Sequence, residues 1–120
     1  MAGASLQHNL IKGNMVAALR PESRRRGGRI FDENVRLAVQ ENVFYTYPDV
    51  MMTCDAGDRR ATYQISQPVL IVEILSPSTA EYDRTEKFKQ YQKLPSLRHY
   101  LLVSQAAWVV EWFRRDEAGQ

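Results

Sequence analysis

Two acidic residues interrupt apolar, strand-like sequence and are the first candidates for chemistry. Glu73 lies within Val69 to Leu75, an apolar run bounded by Pro68 and Pro77. Such a run predicts a strand buried on both faces, where a carboxylate almost never goes without a partner. Asp49 follows Tyr47-Pro48 inside a second apolar segment, Val43 to Cys54. If the two strands are neighbours, the carboxylates converge at one end of a sheet. Unneutralised charges at ~4 Å would repel by roughly 4 kcal/mol at an effective dielectric of ~20, so either one acid is protonated or a cation sits between them. Carboxylate oxygens without histidine or thiolate company suit a hard cation, Mg²⁺ or Mn²⁺. Such an ion can activate a water and stabilise a phosphodiester under attack, and a lysine beside it adds positive charge. Lys87 is the candidate lysine. Beyond Pro77 the apolar period changes from 2 to 3.6, and Asp83, Lys87 and Tyr91 fall at i, i+4 and i+8 on one helical face.

Plainer roles fit the same residues. Glu73 could form a structural pair with Lys87 or Arg84, and Asp49 could be a turn residue bonded to backbone. Asp83 and Lys87 could be an ordinary helix pair, and Phe88 and Tyr91 core residues. His8 and His99 read more readily as packing or surface histidines than as ligands.

These residues need a scaffold, and the pattern predicts one. Residues 5 to 20 read as a helix with Ser5 as N-cap, an apolar stripe through Leu6, Leu10, Met15, Ala18 and Leu19, and Pro21 as its stop. Residues 22 to 28, with three arginines and Gly27-Gly28, read as a loop. Strands are predicted over Arg29 to Phe31, Val35 to Val39, and Val43 to Cys54, the last bent at Pro48 next to Asp49. A polar loop over 55 to 67 precedes the buried strand. A helix from about Ser78 to Leu94 follows, with Ser78 or Thr79 as N-cap and Pro95 as its end. Strands over His99 to Ser104 and Trp108 to Arg114 complete the order αββββαββ. The fold class is therefore α+β, verging on α/β: a mixed β-sheet flanked by helices. The final strand has a turn signal after it and no partner, which predicts a bare sheet edge or pairing with another chain as a homodimer.

The bulk composition sets limits. The 120 residues suffice for one domain with its own core. A charged fraction of 25% and a hydrophobic fraction of 44% are ordinary for a soluble protein. The net charge of +2 permits a polyanionic partner without demanding one. The arginines are uneven, and Arg24, Arg25, Arg26 and Arg29 form a candidate nucleic-acid contact or else a solvated loop. One cysteine, Cys54, excludes an intramolecular disulfide and offers no metal-binding spacing. With no signal-peptide pattern and no run of ~18 apolar residues, a cytoplasmic protein without membrane association is expected.

Several short motifs coincide with one family. His8 with Ile11 and Asn14, Tyr47-Pro48-Asp49-Val50, Val72-Glu73-Ile74-Leu75-Ser76-Pro77-Ser78-Thr79, Asp83-Arg84 with Lys87 and Tyr91, and Leu94-Pro95-Ser96-Leu97 with Tyr100 closely resemble the Uma-two family. That is a large bacterial family of restriction-endonuclease-like proteins in the PD-(D/E)xK nuclease superfamily. The resemblance implies a restriction-endonuclease-like core and Mg²⁺- or Mn²⁺-dependent hydrolysis of DNA. It also allows a catalytically inactive nucleic-acid-binding or interaction module on the same fold. It implies that Asp49 and Glu73 bind the metal. The superfamily lysine two residues after the second acid is absent, because Leu75 stands there, and Lys87 is the residue that could replace it from the following helix. Asp83 and Arg84 would order that helix face or the phosphate, with Tyr91 beside them. His8 or Asn9 would replace the acid often found on the first helix. The family normally extends beyond residue 120, so residues 1–120 are expected to form a single domain lacking the family's C-terminal part.

Overall fold

The structure is a computed structural model that describes residues 5–76, 80–105 and 109–115, with the side chain of Asp83 outside the description. Its frame is a five-stranded sheet in the order β1-β4-β6-β7-β8, formed by β1 (Arg29–Asp32), β4 (Val50–Thr53), β6 (Pro68–Leu75), β7 (His99–Ser104) and β8 (Val110–Arg114). Within this sheet β6 and β7 pair in parallel, and the other neighbours are antiparallel. A second sheet, ordered β3-β2-β5, contains β2 (Arg36–Gln40), β3 (Phe44–Thr46) and β5 (Gln64–Ile65). The mixed sheet with helices is the fold class expected, although the strand and helix count differs from αββββαββ.

Alternation along β6 divides the molecule into two apolar layers. Leu70, Val72 and Ile74 pack with Val50, Met52 and Val103, and the long helix α1 (Leu6–Arg25) closes this face with Ile11, Met15, Val16 and Leu19. Ile71 and Leu75 point the other way. They join Met51, Tyr100 and Leu102, and with them Leu37, Val39 and Ile65 of the small sheet and Tyr91 and Leu94 from the second helical layer. That layer consists of α3 (Ala80–Arg84), α4 (Glu86–Tyr91) and the turn after α4 that carries Leu94.

Four local expectations differ from what is observed. Pro21 does not stop α1, which runs on to Arg25. Its end is set instead by Gly27, at φ +67°, with Gly27 N–H bonded to Arg24 C=O and Gly28 N–H to Ser23 C=O, the paired closure of a Schellman cap. Pro48 does more than bend a strand: β3 and β4 on either side of it belong to different sheets. The 55–67 segment holds a short helix, α2 (Ala56–Arg60), as well as β5. It is organised by Asp58, which is buried and accepts from Thr53 Oγ1, Ser66 N and Gln67 N at 2.7–3.0 Å. The helix foreseen over 78 to 94 is divided at Thr85, where φ −110° and ψ −76° depart from helical values. The proposed caps Ser78 and Thr79 lie outside the described residues, as does Trp108.

Candidate functional site

Register alone brings three acids into one row. On β4, Val50 pairs with Asp32 of β1 on one side and with Val72 of β6 on the other. One step beyond these antiparallel pairs, Glu33, Asp49 and Glu73 follow on three adjacent strands at one end of the sheet. Pro48 makes this possible for Asp49. By breaking the β3–β4 segment it leaves the Asp49 carboxylate at a strand end, within reach of α1 and β6.

Asp49 is fixed through its main chain and its side chain. Its amide donates to Glu73 Oε1 at 3.1 Å, and its Oδ2 accepts from the Ile74 amide at 2.7 Å. Its Oδ1 lies 3.1 Å from His8 Nε2 on the first turn of α1. A carboxylate only accepts, so Nε2 carries the proton in that hydrogen bond. Ser5 caps the helix start by accepting from the His8 amide, which holds His8 in place over the sheet end.

Glu73 is 2% exposed and is the buried acid expected. Its Oε2 accepts from Lys87 Nζ at 3.0 Å and from the Tyr91 hydroxyl at 2.9 Å. Lys87 and Tyr91 are one helical turn apart on α4, so the i, i+4 face read from the sequence does meet the acid. Tyr91 is fully buried, and its hydroxyl also bonds with Thr46 Oγ1 at 3.1 Å. Burial, and then the negative charge of Glu73, raise its pKa well above the ordinary tyrosine value. The hydroxyl therefore stays protonated and donates. Leu75 is buried in the core, where a lysine would have no water.

Other expected site residues are elsewhere. Arg84 Nε pairs with Glu111 on β8 at 2.8 Å, a partner different from Glu73. That pairing raises its pKa. Asp83's side chain lies outside the described residues. Arg24 and Arg25 close the last turn of α1, Arg26 is its C-cap and Arg29 opens β1. Arg25 lies seventeen residue steps along α1 from His8, or ~25 Å at 1.5 Å per residue. The arginines thus occupy the end of the molecule opposite the acids. Arg25 and Arg26 both pair with Glu22.

Glu33 is the site residue that the sequence reading missed. His8, Glu33 and Asp49 each offer a ligand atom, and these atoms lie within 4.8 Å of one another. Glu33 Oε1 accepts from Lys12 Nζ at 2.9 Å. That hydrogen bond raises the Lys12 pKa against the lowering effect of burial, and the charges of Glu33, Asp32 and Asp49 add to it. Glu33 Oε2 and His8 Nδ1 are buried without a hydrogen-bond partner among the described residues. Buried polar atoms left in this way call for a water or an ion. One imidazole with two carboxylates is a donor set that fits a divalent cation, and the imidazole favours Mn²⁺ over Mg²⁺. Histidine company, excluded when the acids were read alone, is present. Asp32-Glu33-Asn34 looks like an ordinary turn. No sequence signal sets Glu33 apart; its place follows from the pairing of β1 with β4.

The comparisons with known proteins agree with this architecture. The model of the Uma2 family, described as "putative restriction endonuclease", matches residues 1–120. Two relatives from Synechocystis sp. are the uncharacterized proteins slr1290 and sll1609. The first is 34% identical over 119 residues, covering 99% of this chain and 63% of the relative. The second is 36% identical over 117 residues, covering 96% and 66%. The chain thus spans about two thirds of the length of these relatives. A crystal structure from Anabaena variabilis ATCC 29413, described as a "putative nuclease belonging to DUF820", superposes with a TM-score of 0.73 at 20% identity. It covers 92% of this chain and 64% of the other, and the likeness is one of fold. The family model matches from the first residue to the last, and the chain belongs to the Uma2 family.

Proposed function

We propose that the chain carries a divalent-metal-dependent endonuclease centre that hydrolyses phosphodiester bonds of DNA. The observation that carries this reading is the lock between two acids of neighbouring strands. The Asp49 amide donates to the Glu73 carboxylate, the Ile74 amide to the Asp49 carboxylate, and Lys87 Nζ stands 3.0 Å from Glu73. The restriction-endonuclease description of the family and the nuclease description of the structural neighbour support the same class of activity.

In this reading Asp49 and Glu73 are the metal-holding acids, and His8 stands beside Asp49 where the superfamily often has a helical acid. A bound Mg²⁺ or Mn²⁺ would supply an activated water and neutralise charge on the phosphate. Each remaining step belongs to this chain's own side chains. The Ile74 amide and His8 orient the Asp49 carboxylate, so it needs little reorganisation to act. Tyr91 and the Asp49 amide orient Glu73. Lys87 brings a positive charge from α4 in place of the lysine that Leu75 excludes, and so favours a negatively charged transition state.

The test is nicking of supercoiled plasmid DNA with Mg²⁺ or Mn²⁺. Asp49→Ala and Glu73→Ala should each lower the rate by at least ~100-fold, the scale of losing a catalytic electrostatic partner. Absence of cleavage with either metal, or cleavage by both variants at the wild-type rate, would sink the proposal.

A second reading also has an observation behind it. Both Glu73 oxygens already accept hydrogen bonds, from the Asp49 amide, Lys87 and Tyr91, as in a structural network. On that reading the domain binds nucleic acid or another partner without cutting. Salt-sensitive DNA binding by a protein that never nicks, unchanged in Asp49→Ala, would select it.

A further inference from the structure

We propose that Lys12 is a tethered counter-ion that holds the metal-free site together and gives up its place on Glu33 to the divalent cation. This rests on the metal-dependent reading above and adds two residues, Lys12 and Glu33, to it. The ligand atoms of His8, Glu33 and Asp49 converge within 4.8 Å, so two carboxylates face each other in a partly buried place. With both acids ionised, such a cluster needs a cation beside it. Lys12 provides one, 2.9 Å from Glu33 Oε1, with its side chain only 13% exposed.

The ammonium is an incomplete substitute. It brings one charge where two carboxylates lie, and it leaves Glu33 Oε2 and His8 Nδ1 buried without a partner among the described residues. Those are the kinds of atom that a metal binds: a carboxylate oxygen and an imidazole nitrogen. Metal and Lys12 therefore compete for the same carboxylate. Lys12 follows His8 by one helical turn on α1, so its displacement needs only rotation of a flexible side chain, with the helix left in place. The displaced ammonium stays beside the site and is free to meet an anionic group such as a phosphodiester oxygen. The site thus exposes its phosphate-binding charge only when the cation is in place.

The experiment is isothermal titration of the metal-free protein with MnCl₂ at fixed ionic strength, with the melting temperature of each variant measured with and without Mn²⁺. Lys12→Met removes the competitor, and Mn²⁺ should bind roughly five- to tenfold more tightly. Without metal this variant should melt lower than the wild type, and Mn²⁺ should raise its melting temperature by more. Lys12→Arg keeps the charge and should bind Mn²⁺ no more tightly than the wild type. Glu33→Gln should bind about tenfold more weakly. Equal or weaker binding by Lys12→Met, or tighter binding by Lys12→Arg, overturns the proposal. If Asp49→Asn alone abolishes binding while the Lys12 and Glu33 variants match the wild type, the metal centre stands and the counter-ion role fails. No Mn²⁺ binding by the wild type overturns both.

Discussion

At the scale of single residues, the Glu73–Lys87 pair is where stability and proposed function meet. Glu73 has a 3% exposed side chain, whereas Lys87 retains 21%. Removing Lys87 leaves a buried carboxylate with one charged partner fewer. Lys87→Met should therefore destabilise the fold by about 2–3 kcal/mol, below the ~3–5 of a fully buried pair because Lys87 keeps some solvent. Lys87→Met combined with Glu73→Gln should recover most of that loss, because the uncompensated charge is gone. Urea unfolding checks both values, and a single variant within ~0.5 kcal/mol of the wild type would contradict the account. This pair was legible in the sequence, since an acid in an apolar strand demands a partner and the next helix offers a cation at the right spacing. Glu33 was not legible. Between strands, Asp32-Glu33-Asn34 has the composition of any turn, and only the pairing of β1 with β4 reveals that it lies beside Asp49.

At the scale of elements, α1 and the β3–β4 break do most to place the site. α1 supplies His8 and Lys12 at its start and spans the face of the large sheet, passing through Pro21 without ending. A proline there removes one backbone hydrogen bond and strains the turn before it, a cost that tertiary packing of Ile11, Met15, Val16 and Leu19 overrides. Pro21 is exposed, so Pro21→Ala should stabilise the protein by about 1–3 kcal/mol and raise the melting temperature. A lower melting temperature would mean that Pro21 has a packing role beyond α1. The sequence marked Pro21 as a stop because local rules weigh a proline by its own turn, whereas the actual stop, Gly27, is set by its left-handed backbone. Pro48 was legible as a bend in the strand. That its two sides would join different sheets was not, because both β3 and β4 are apolar and fit a buried sheet equally well.

At the scale of the whole molecule, two charged regions lie at opposite ends of α1. The acids gather at its start, while Arg24, Arg25, Arg26 and Arg29 gather ~25 Å away, the length of about seven base pairs at 3.4 Å each. On the proposed function, a duplex following α1 would meet both, with the arginines as phosphate anchors and the acids as the reaction centre. Replacing Arg24 and Arg29 together with alanine should weaken DNA binding equally across sequences and lower the slope of log affinity against log salt by about 1–2. Fluorescence anisotropy over a salt series measures it, and an unchanged slope would place the DNA elsewhere. β8 is an edge strand among the described residues, with Val110 and Trp112 exposed. The mixed-sheet fold was legible from period and turn signals, because β6 and its helix carry a strong pattern. The row of acids was not, because it depends on register between strands far apart in the chain. The proposed function stands or falls on Asp49 holding a divalent metal. The measurement that meets it most directly is an anomalous difference map from crystals soaked in MnCl₂. A peak within bonding distance of the Asp49 carboxylate is expected, and a map with peaks only at surface carboxylates away from Asp49 would rule that centre out.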